Sequence, residues 1–401
     1  MEQQTQQAGR RAGHPMTAAG PLTGIRVLDF TTTFSGPYCT QSLSDLGADV
    51  IKVEAPSGDI TRRLGTIREG MGSVYAACNR DKASIEIDMA GPEHAKVIEL
   101  VDSADCLVHN MRPAAARKLG IDAVTTLERN PRLIHASITG YGTNGLYAGR
   151  PAYDDCIQAA SGLAALQSDY AGQPQYMATS IADKVAGMTA AQAILAALFA
   201  RERTGRGQAV EIPMYETLVG FTLMEQWGGQ VFDPPTGPPG YARMQSRFRK
   251  PYRTADSSVA VVVYHQGHWE RFLEAVGRSE VLADPRFSSV EARNRNIDSL
   301  YAILEAILTE RTTEQWLDLF SRIDVPAAPV LDLNDVLSDP HLESVDFFQT
   351  VTSESGSFVA NRSSMLFSDT PLADPRNRPG PSRLDSGRDA AERWSQATTP
   401  V

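Results

Sequence analysis

The sequence predicts an α/β protein built on a parallel sheet, with a second, smaller domain in its C-terminal half. Three observations carry this. Leu22–Phe30, Tyr38–Leu46, Gly47 and Ala48–Glu54 read as strand, helix, stop and strand, a βαβ unit that implies parallel strands joined by a right-handed crossover. Short apolar strands continue to alternate with amphipathic helices to about residue 215. The composition then changes, through the Pro/Gly-rich run FDPPTGPPGY at 232–241 and the run SSVAVVVY at 257–264, a strand of antiparallel type.

The loop Thr31–Pro37 follows the first strand and faces the carboxyl edge of the sheet, where α/β proteins bind ligands. It lacks a GxGxxG pattern, so nothing points to a dinucleotide. Pro56–Gly72 reads as loop, Ala83–Ile87 as strand, Pro92–Ser103 as helix and Ala104–His109 as a buried strand. Ala114–Leu119 is a short helix stopped by Gly120, Val124–Asn130 a helix broken by Pro131, and Leu133–Ile138 a strand. An Ala-rich helix is expected from about Val185 to Arg203, followed by a Thr204-Gly205-Arg206-Gly207 turn and the strand Gln208–Met214. Few polar groups lie on any face of that helix, which predicts burial all round. Tyr215–Val231, His268–Val276, Asp298–Leu308 and Thr313–Ile323 read as helices, and Val325–Val330 as a Pro-rich return segment. Asp332–Leu337 follows as a helix and Phe347–Val351 as a strand, and the last 25 residues are polar and expected to be loose. The expected division is a leader over 1–20, a large domain over 21–224, a small domain over 225–330, and a return to the large domain with a tail over 331–401.

With 401 residues, 42% hydrophobic and 21% charged, the composition is that of a globular protein with an ample core. A net charge of −10 argues against a nucleic-acid partner. No uninterrupted apolar run approaches the roughly 18 residues of a membrane span. Cys39, Cys78, Cys106 and Cys156 are scattered, form no CxxC pair and have no metal-ligand spacing with histidine. They read as small core residues in a reducing cytoplasm, with no metal site. Met1–Gly20 has no apolar h-region and reads as a disordered leader, with Met16 as an alternative start.

Four features have the chemistry to form a site. One is the Thr31–Pro37 loop. Another is the basic and amide set Arg80, Lys82, Asn110, Arg112, Arg117 and Lys118, which suits an anionic ligand such as a nucleotide diphosphate. The others are Arg150–Asp154 with the following Ile157–Gly162, and Asp183. Asp183 ends a polar turn where the Ala-rich helix begins. A carboxylate there caps the helix and stays ionised, and a rigid, shielded carboxylate can serve as a nucleophile. His265 and His268 follow the small-domain strand and read as capping or surface histidines. The Arg243–Arg253 cluster reads as solvated or subunit-contact charge, with recognition of a second carboxylate as the sharper alternative.

The segments PLTGIRVLDFTTTFSGPYCTQSLSDLGADVIKVEAPSGD, NRDKASIEIDM, NMRPAAARKLGID, NPRLIHASITGYG, RPAYDDCIQAASGL, ADKVAGMTAAQAILAALFARERTGRGQAVEIPM and VPAAPVLDLNDVLSDPHL occur in that order. In this series the chain resembles the family III CoA-transferases, the group that includes formyl-CoA and carnitine CoA-transferases and α-methylacyl-CoA racemases. The resemblance implies a Rossmann-like large domain made from both ends of the chain, a small domain between, and an interlocked homodimer. It implies acyl-CoA and a carboxylic acid as substrates, no tightly bound cofactor and no ATP. The family's nucleophilic acid falls on Asp183. Its CoA contacts fall on Phe34, Ser35, Ile87, Asp88, Met89, Asn110, Met111, Arg112, Lys118, Tyr153 and Asp154. Thr32 and Phe34 stand where formyl-CoA transferases have His and Gln, and Ala55 where they have an arginine beside the adenine. Thr236-Gly237-Pro238-Pro239-Gly240 is a stiffer version of their glycine run. The racemases carry a histidine just before the aspartate that aligns with Asp154. Here that position is Tyr153, a poor general base at neutral pH, which favours the transferase over the racemase.

Overall fold

The structure, a computed structural model, describes residues 20–89 and 91–396. The expected leader lies almost wholly outside them. Residues 20–152, 182–214 and 345–396 form one compact unit, and Tyr153–Ile181 with Tyr215–Ser344 form another.

The first unit is built on six parallel strands: β1 (Arg26–Phe30), β2 (Asp49–Glu54), β3 (Lys82–Glu86), β4 (Cys106–His109), β5 (Ile134–Thr139) and β6 (Gln208–Pro213). Their order is β3-β2-β1-β4-β5-β6. Helices α1 (Ser35–Asp45) and α2 (His94–Ser103) lie in the crossovers, and α3 (Ile181–Thr204) leads into β6. The strands read as near-continuous apolar runs because both faces are covered. Val27, Leu28, Ile51, Leu107 and Val108 are fully buried. Strand order reverses between β1 and β4, so their carboxyl ends flank the crevice where doubly wound sheets take ligands.

Helix α3 begins at Ile181, four residues before the expected start. Its buried positions, including Ala182, Ala186, Ala190, Ile194, Leu198 and Arg201, recur every three or four residues and make a single stripe. Burial all round is therefore corrected: Met188 and Phe199 are 51% and 61% exposed. Alanine makes the helix poor in polar groups without giving it a second partner. Over an 18-residue window its mean hydropathy is 1.3, enough by length and composition to cross a membrane, but half of that window is packed inside the protein. Two glycines permit close backbone contact here. A Cβ on Gly187 would stand 2.5 Å from the Ser35 carbonyl oxygen, and one on Gly207 2.0 Å from that of Leu133.

The C-terminal segment corrects a second expectation. It closes the outer edge of β3 instead of hanging loose. Ser382 Oγ donates to the Lys82 carbonyl, the Gly387 N–H to the Ser84 carbonyl, and the Glu86 N–H to Asp385 Oδ1. Helix α4 (Arg388–Gln396) follows, and Trp394 is buried in the same core as Leu28, Ile85 and Leu100. Its Nε1 donates to Asp49 Oδ2 at 2.7 Å. Polar composition hid this helix because only Ala390, Ala391 and Trp394 face inward.

In the second unit, Tyr252–Arg253, Ser258–Val261 and Ala327–Pro329 form an antiparallel sheet. The Pro-rich run at 325–330 is thus an edge strand of this sheet, a position that tolerates proline, and not merely a return segment. Trp269, Phe272, Trp316 and Phe320 pack as an aromatic cluster, and Trp316 Nε1 donates to the Leu308 carbonyl. The unit runs over Tyr215–Ser344 and also takes in Tyr153–Ile181, whereas the composition suggested 225–330.

Trp394→Ala removes the anchor of α4 and is expected to cost about 3–5 kcal/mol of stability. It should also speed amide exchange along β3 before β1 or β4, as hydrogen-exchange mass spectrometry would show.

Candidate active site at the carboxyl edge of the sheet

Beneath the first-strand loop lies a buried ionic network. Asp29, Lys52 and Lys82 are all inaccessible to solvent. Asp29 Oδ1 accepts from the Thr31 N–H (2.8 Å) and hydroxyl (2.6 Å), and Oδ2 from the Thr40 hydroxyl (2.6 Å). Lys82 Nζ lies 3.3 Å from Asp29 Oδ2 and donates to the Pro37 carbonyl, Thr40 Oγ1 and Asn79 Oδ1. Lys52 Nζ donates to the Thr31 carbonyl at 2.6 Å and forms an ion pair with Asp59 Oδ2 at 3.1 Å, outside hydrogen-bond geometry. Glu54 takes the Arg62 guanidinium through both oxygens, together with Tyr75 and Ser84.

Burial alone would raise the Asp29 carboxyl, but Lys52 and Lys82 outweigh it and hold it at about 2. Burial would likewise raise Glu54, and Arg62 and Lys52 bring it to about 2. Burial wins at Lys82, pushed down to about 8 against the attraction of Asp29. For Lys52 the desolvation is overcome by Asp29, Asp59 and Glu54, so its ammonium is held above the ordinary lysine range. At neutral pH the network is ionised and internal. Lys82 therefore does not meet a ligand, and Arg80, 7% exposed, is spent on Asp45 at 2.7 Å. Asp29, Lys52 and Asp59 are not among the site residues expected from the sequence. The legible signal was a charge set inside otherwise apolar strands, as in RVLDF and DVIKVE.

Above the network, β1 and β4 run in register with Phe30 beside His109, which brings the turns after them together. The Thr32 N–H donates to Asn110 Oδ1 at 3.0 Å, and Asn110 Nδ2 donates back to the Thr32 carbonyl at 2.8 Å. His109 is 3% exposed, its Nδ1 accepts from the Met111 N–H, and its ring meets that of His135 edge-on at 5.0 Å. Burial, and then His135, push His109 down to about 3, so it is neutral and able to accept that bond. Phe34 is the residue before α1 and supplies no side-chain cap; Ser35 is buried.

Asp183 is the third residue of α3, inside its first turn and not a cap ahead of it. The positive end of the helix dipole favours an ionised carboxylate at such a position. It lies one turn before Gly187, the point at which α3 touches the start of α1. Phe34, Ser35, Asn110, Met111 and Arg112 thus gather at the ends of β1 and β4, with Asp183 on the helix packed against α1. Arg112 precedes the helix Pro113–Lys118, which Lys118 ends, and both side chains are exposed. Of the three residues after β3, Asp88 is exposed, whereas Ile87 is 3% exposed within the core and Met89 packs against it. The Ile87 N–H donates to the Glu54 carbonyl at 2.9 Å, so only its carbonyl is left to meet a ligand.

Tyr153 and Asp154 belong to the second unit. Tyr153 is 74% exposed, so it is no core tyrosine. Asp154 opens the helix Asp154–Ala160, and its Oδ2 accepts from Gln158 Nε2 at 2.6 Å. Cys39 and Cys106 are buried as expected, but Cys156, on this helix, is exposed. His265 Nδ1 caps the helix Gln266–Ala275 by accepting from the His268 N–H, and the two imidazoles lie 3.6 Å apart. Arg243 donates to the Tyr301 hydroxyl and lies over Tyr264, and Lys250 pairs with Glu305. The Arg243–Arg253 stretch is thus partly spent within its own unit. Among the described residues no group of three or more His, Cys, Asp or Glu is placed to hold a metal.

A doubly wound parallel sheet with polar turns gathered at its switch point defines an α/β protein of the kind that takes ligands at the carboxyl edge of its sheet. Residues 22–383 match the profile of CoA-transferase family III, and the chain belongs to that family. It is 35% identical over 319 residues to a probable fatty acyl-CoA transferase of Mycobacterium tuberculosis, covering 75% of this chain and 80% of the relative. It is 31% identical over 381 residues to the acetyl-CoA:oxalate CoA-transferase of Acetobacter aceti, covering 92% and 95%. The crystal structure of a CAIB/BAIF family protein from Brucella suis superposes with a TM-score of 0.79 at 30% identity, over 94% of this chain and all of that one.

The folded His109 titrates at about 3 and the unfolded side chain near 6.5. The unfolded state therefore binds a proton that the native state refuses. Stability should fall as pH drops through that window, by up to ~1.4 kcal/mol per pH unit. His109→Asn keeps an acceptor without titrating and should flatten the slope in urea melts at pH 4, 5, 6 and 7. Gly187→Ala sets a methyl against the Ser35 carbonyl and should cost about 1–3 kcal/mol, read as a lowered Tm.

Proposed function

We propose that this CoA-transferase moves CoA from an acyl-CoA donor to a carboxylic acid, with Asp183 as the nucleophile. The observation that carries this is the position of Asp183 in a family III chain: a carboxylate in the first turn of α3, one turn from the contact with α1 at Gly187. Asp183 attacks the acyl-CoA thioester carbonyl, forming a mixed anhydride and releasing CoA thiolate. The thiolate attacks the aspartyl carbonyl of that anhydride, giving an aspartyl-CoA thioester and the free donor acid. The acceptor carboxylate attacks this thioester, forming a second anhydride and again freeing the thiolate. Attack of the thiolate on the acceptor's acyl carbonyl yields the new acyl-CoA and regenerates the Asp183 carboxylate. Each exchange keeps an activated acyl group, so no ATP is consumed, and water must be kept out because it would hydrolyse the anhydride.

In this reading CoA meets Phe34, Ser35, Met111 and Arg112 at the switch point beside Asn110, together with Ile87, Asp88, Met89, Lys118, Tyr153 and Asp154. The donor and acceptor are carboxylic acids, the class that the fatty acyl-CoA transferase and acetyl-CoA:oxalate CoA-transferase relatives share. The working form is an interlocked homodimer. Met188 and Phe199 on α3, and Phe221, Met224 and Trp227 beyond it, are exposed apolar side chains that a second copy would cover. Four free cysteines accord with a cytoplasmic setting. A racemase would need a second proton carrier, and Tyr153 stands where that family branch has histidine.

Incubation with a panel of short and branched acyl-CoAs, trapping with hydroxylamine or borohydride, and mass spectrometry of the Asp183 peptide tests the chemistry. Acyl-CoA-dependent modification at Asp183 is expected, and Asp183→Asn should lower transfer at least about a thousandfold. CoA binding without any such modification, together with deuterium wash-in at the substrate α-carbon, would replace the transferase with the racemase.

A further inference from the structure

The backbone of Thr31–Thr33 is held to an unusual degree. Five of its six polar groups are bonded to side chains. The Thr31 N–H donates to Asp29, the Thr31 carbonyl accepts from Lys52, the Thr32 N–H and carbonyl are both taken by Asn110, and the Thr33 N–H donates to Asp59 Oδ1 at 3.3 Å. These partners come from β1, from β2, from the turn after β2 and from the turn after β4. Asp59 is itself fixed, since its N–H donates to Glu54 and its Oδ1 accepts from the N–H and hydroxyl of Thr61.

Thr33 is left-handed, with φ of 71°. A β-branched residue adopts that conformation at a cost, and it persists where its surroundings over-determine it. No hairpin or strand ladder demands the conformation here. The three threonines run directly into Phe34, Ser35 and α1, and α1 touches α3 at Gly187, one turn from Asp183.

We propose that Asn110, with the buried Lys52–Asp59 pair, clamps the Thr31–Thr33 backbone and so positions the first turn of α1 relative to Asp183 for acyl-CoA. This makes Asn110 a positioning residue, with both ends of its amide engaged within the protein. The inference rests on the transferase reading for its ligand, while the clamp itself is testable in the free protein. It also gives the internal lysine a task at the site: Lys52 meets no ligand, yet its ammonium holds the carbonyl from which the loop departs.

Asn110 is half-exposed at the end of β4, so Asn110→Ala can be made without opening the core. Losing the paired bond to Thr32 should speed exchange of the Thr32–Gly36 amides about tenfold in the ligand-free protein, with Tm nearly unchanged. Affinity for CoA, measured by calorimetry, should weaken about tenfold, and the kinetic loss should fall on KM for acyl-CoA more than on kcat. Asn110→Asp keeps the acceptor for the Thr32 N–H and loses the return bond, so it should fall between wild type and Asn110→Ala. Weakened CoA binding with no change in loop exchange would mean that Asn110 contacts the ligand directly and would overturn the clamp. Unchanged exchange and unchanged affinity would overturn it as well. A wild-type protein that binds no CoA would sink the transferase reading, while the exchange data would still decide the clamp.

Discussion

The pairing of Asp29 with Lys82 and of Lys52 with Asp59 is the constraint on which the rest of the first unit depends. Two ammonium groups and two carboxylates have been taken wholly out of water. Such charges are tolerable only when every partner is in place, and removing one leaves an uncompensated ion. The arrangement is therefore sensitive to geometry in a way that an apolar core is not. It ties β1 to β2, ties both to the start of α1, and through Asp59 and Glu54 it fixes the turn after β2. The carboxyl edge of the sheet inherits that rigidity. A site built on rigid elements holds its groups more closely than one built on free loops, and the crevice between β1 and β4 is such a place.

Much of the fold was legible. The βαβ unit at 22–54 reads correctly because Gly47 stops the helix with φ of 102°, a conformation that glycine accepts readily. Strand positions in the first unit agree to within a few residues because both faces of a parallel sheet demand apolar runs. Two failures have physical reasons. The C-terminal helix was missed because a single tryptophan does the anchoring, and an average over polar neighbours hides it. The burial of α3 was overstated because alanine is compatible with a core and with an exposed face alike.

The candidate site was legible in a different way. Chain position alone would have left Asp183 an ordinary helix-terminal acid; the ordered series of family segments singled it out. The structure adds the contact at Gly187, which residue types do not announce. It also sorts the basic set by location: Arg112 and Lys118 are free to reach outward, whereas Arg80 and Lys82 are committed to acids within the protein. Charge counts cannot make that distinction, because the same ammonium is a ligand contact or an internal strut according to what lies within 3 Å.

The closure of β3 by residues near the C-terminus bears on how this chain must be made. Edge strands with unpaired carbonyls and N–H groups are templates for association with other chains. The outer groups at Lys82, Ser84 and Glu86 are emitted early in synthesis, and their partners at Ser382, Asp385 and Gly387 come about three hundred residues later. Throughout translation the nascent sheet keeps one open flank, beside a helix whose apolar face is also uncovered. A chain released early would carry both. The segment 382–396 thus acts as a late-made lock on strands translated about three hundred residues earlier.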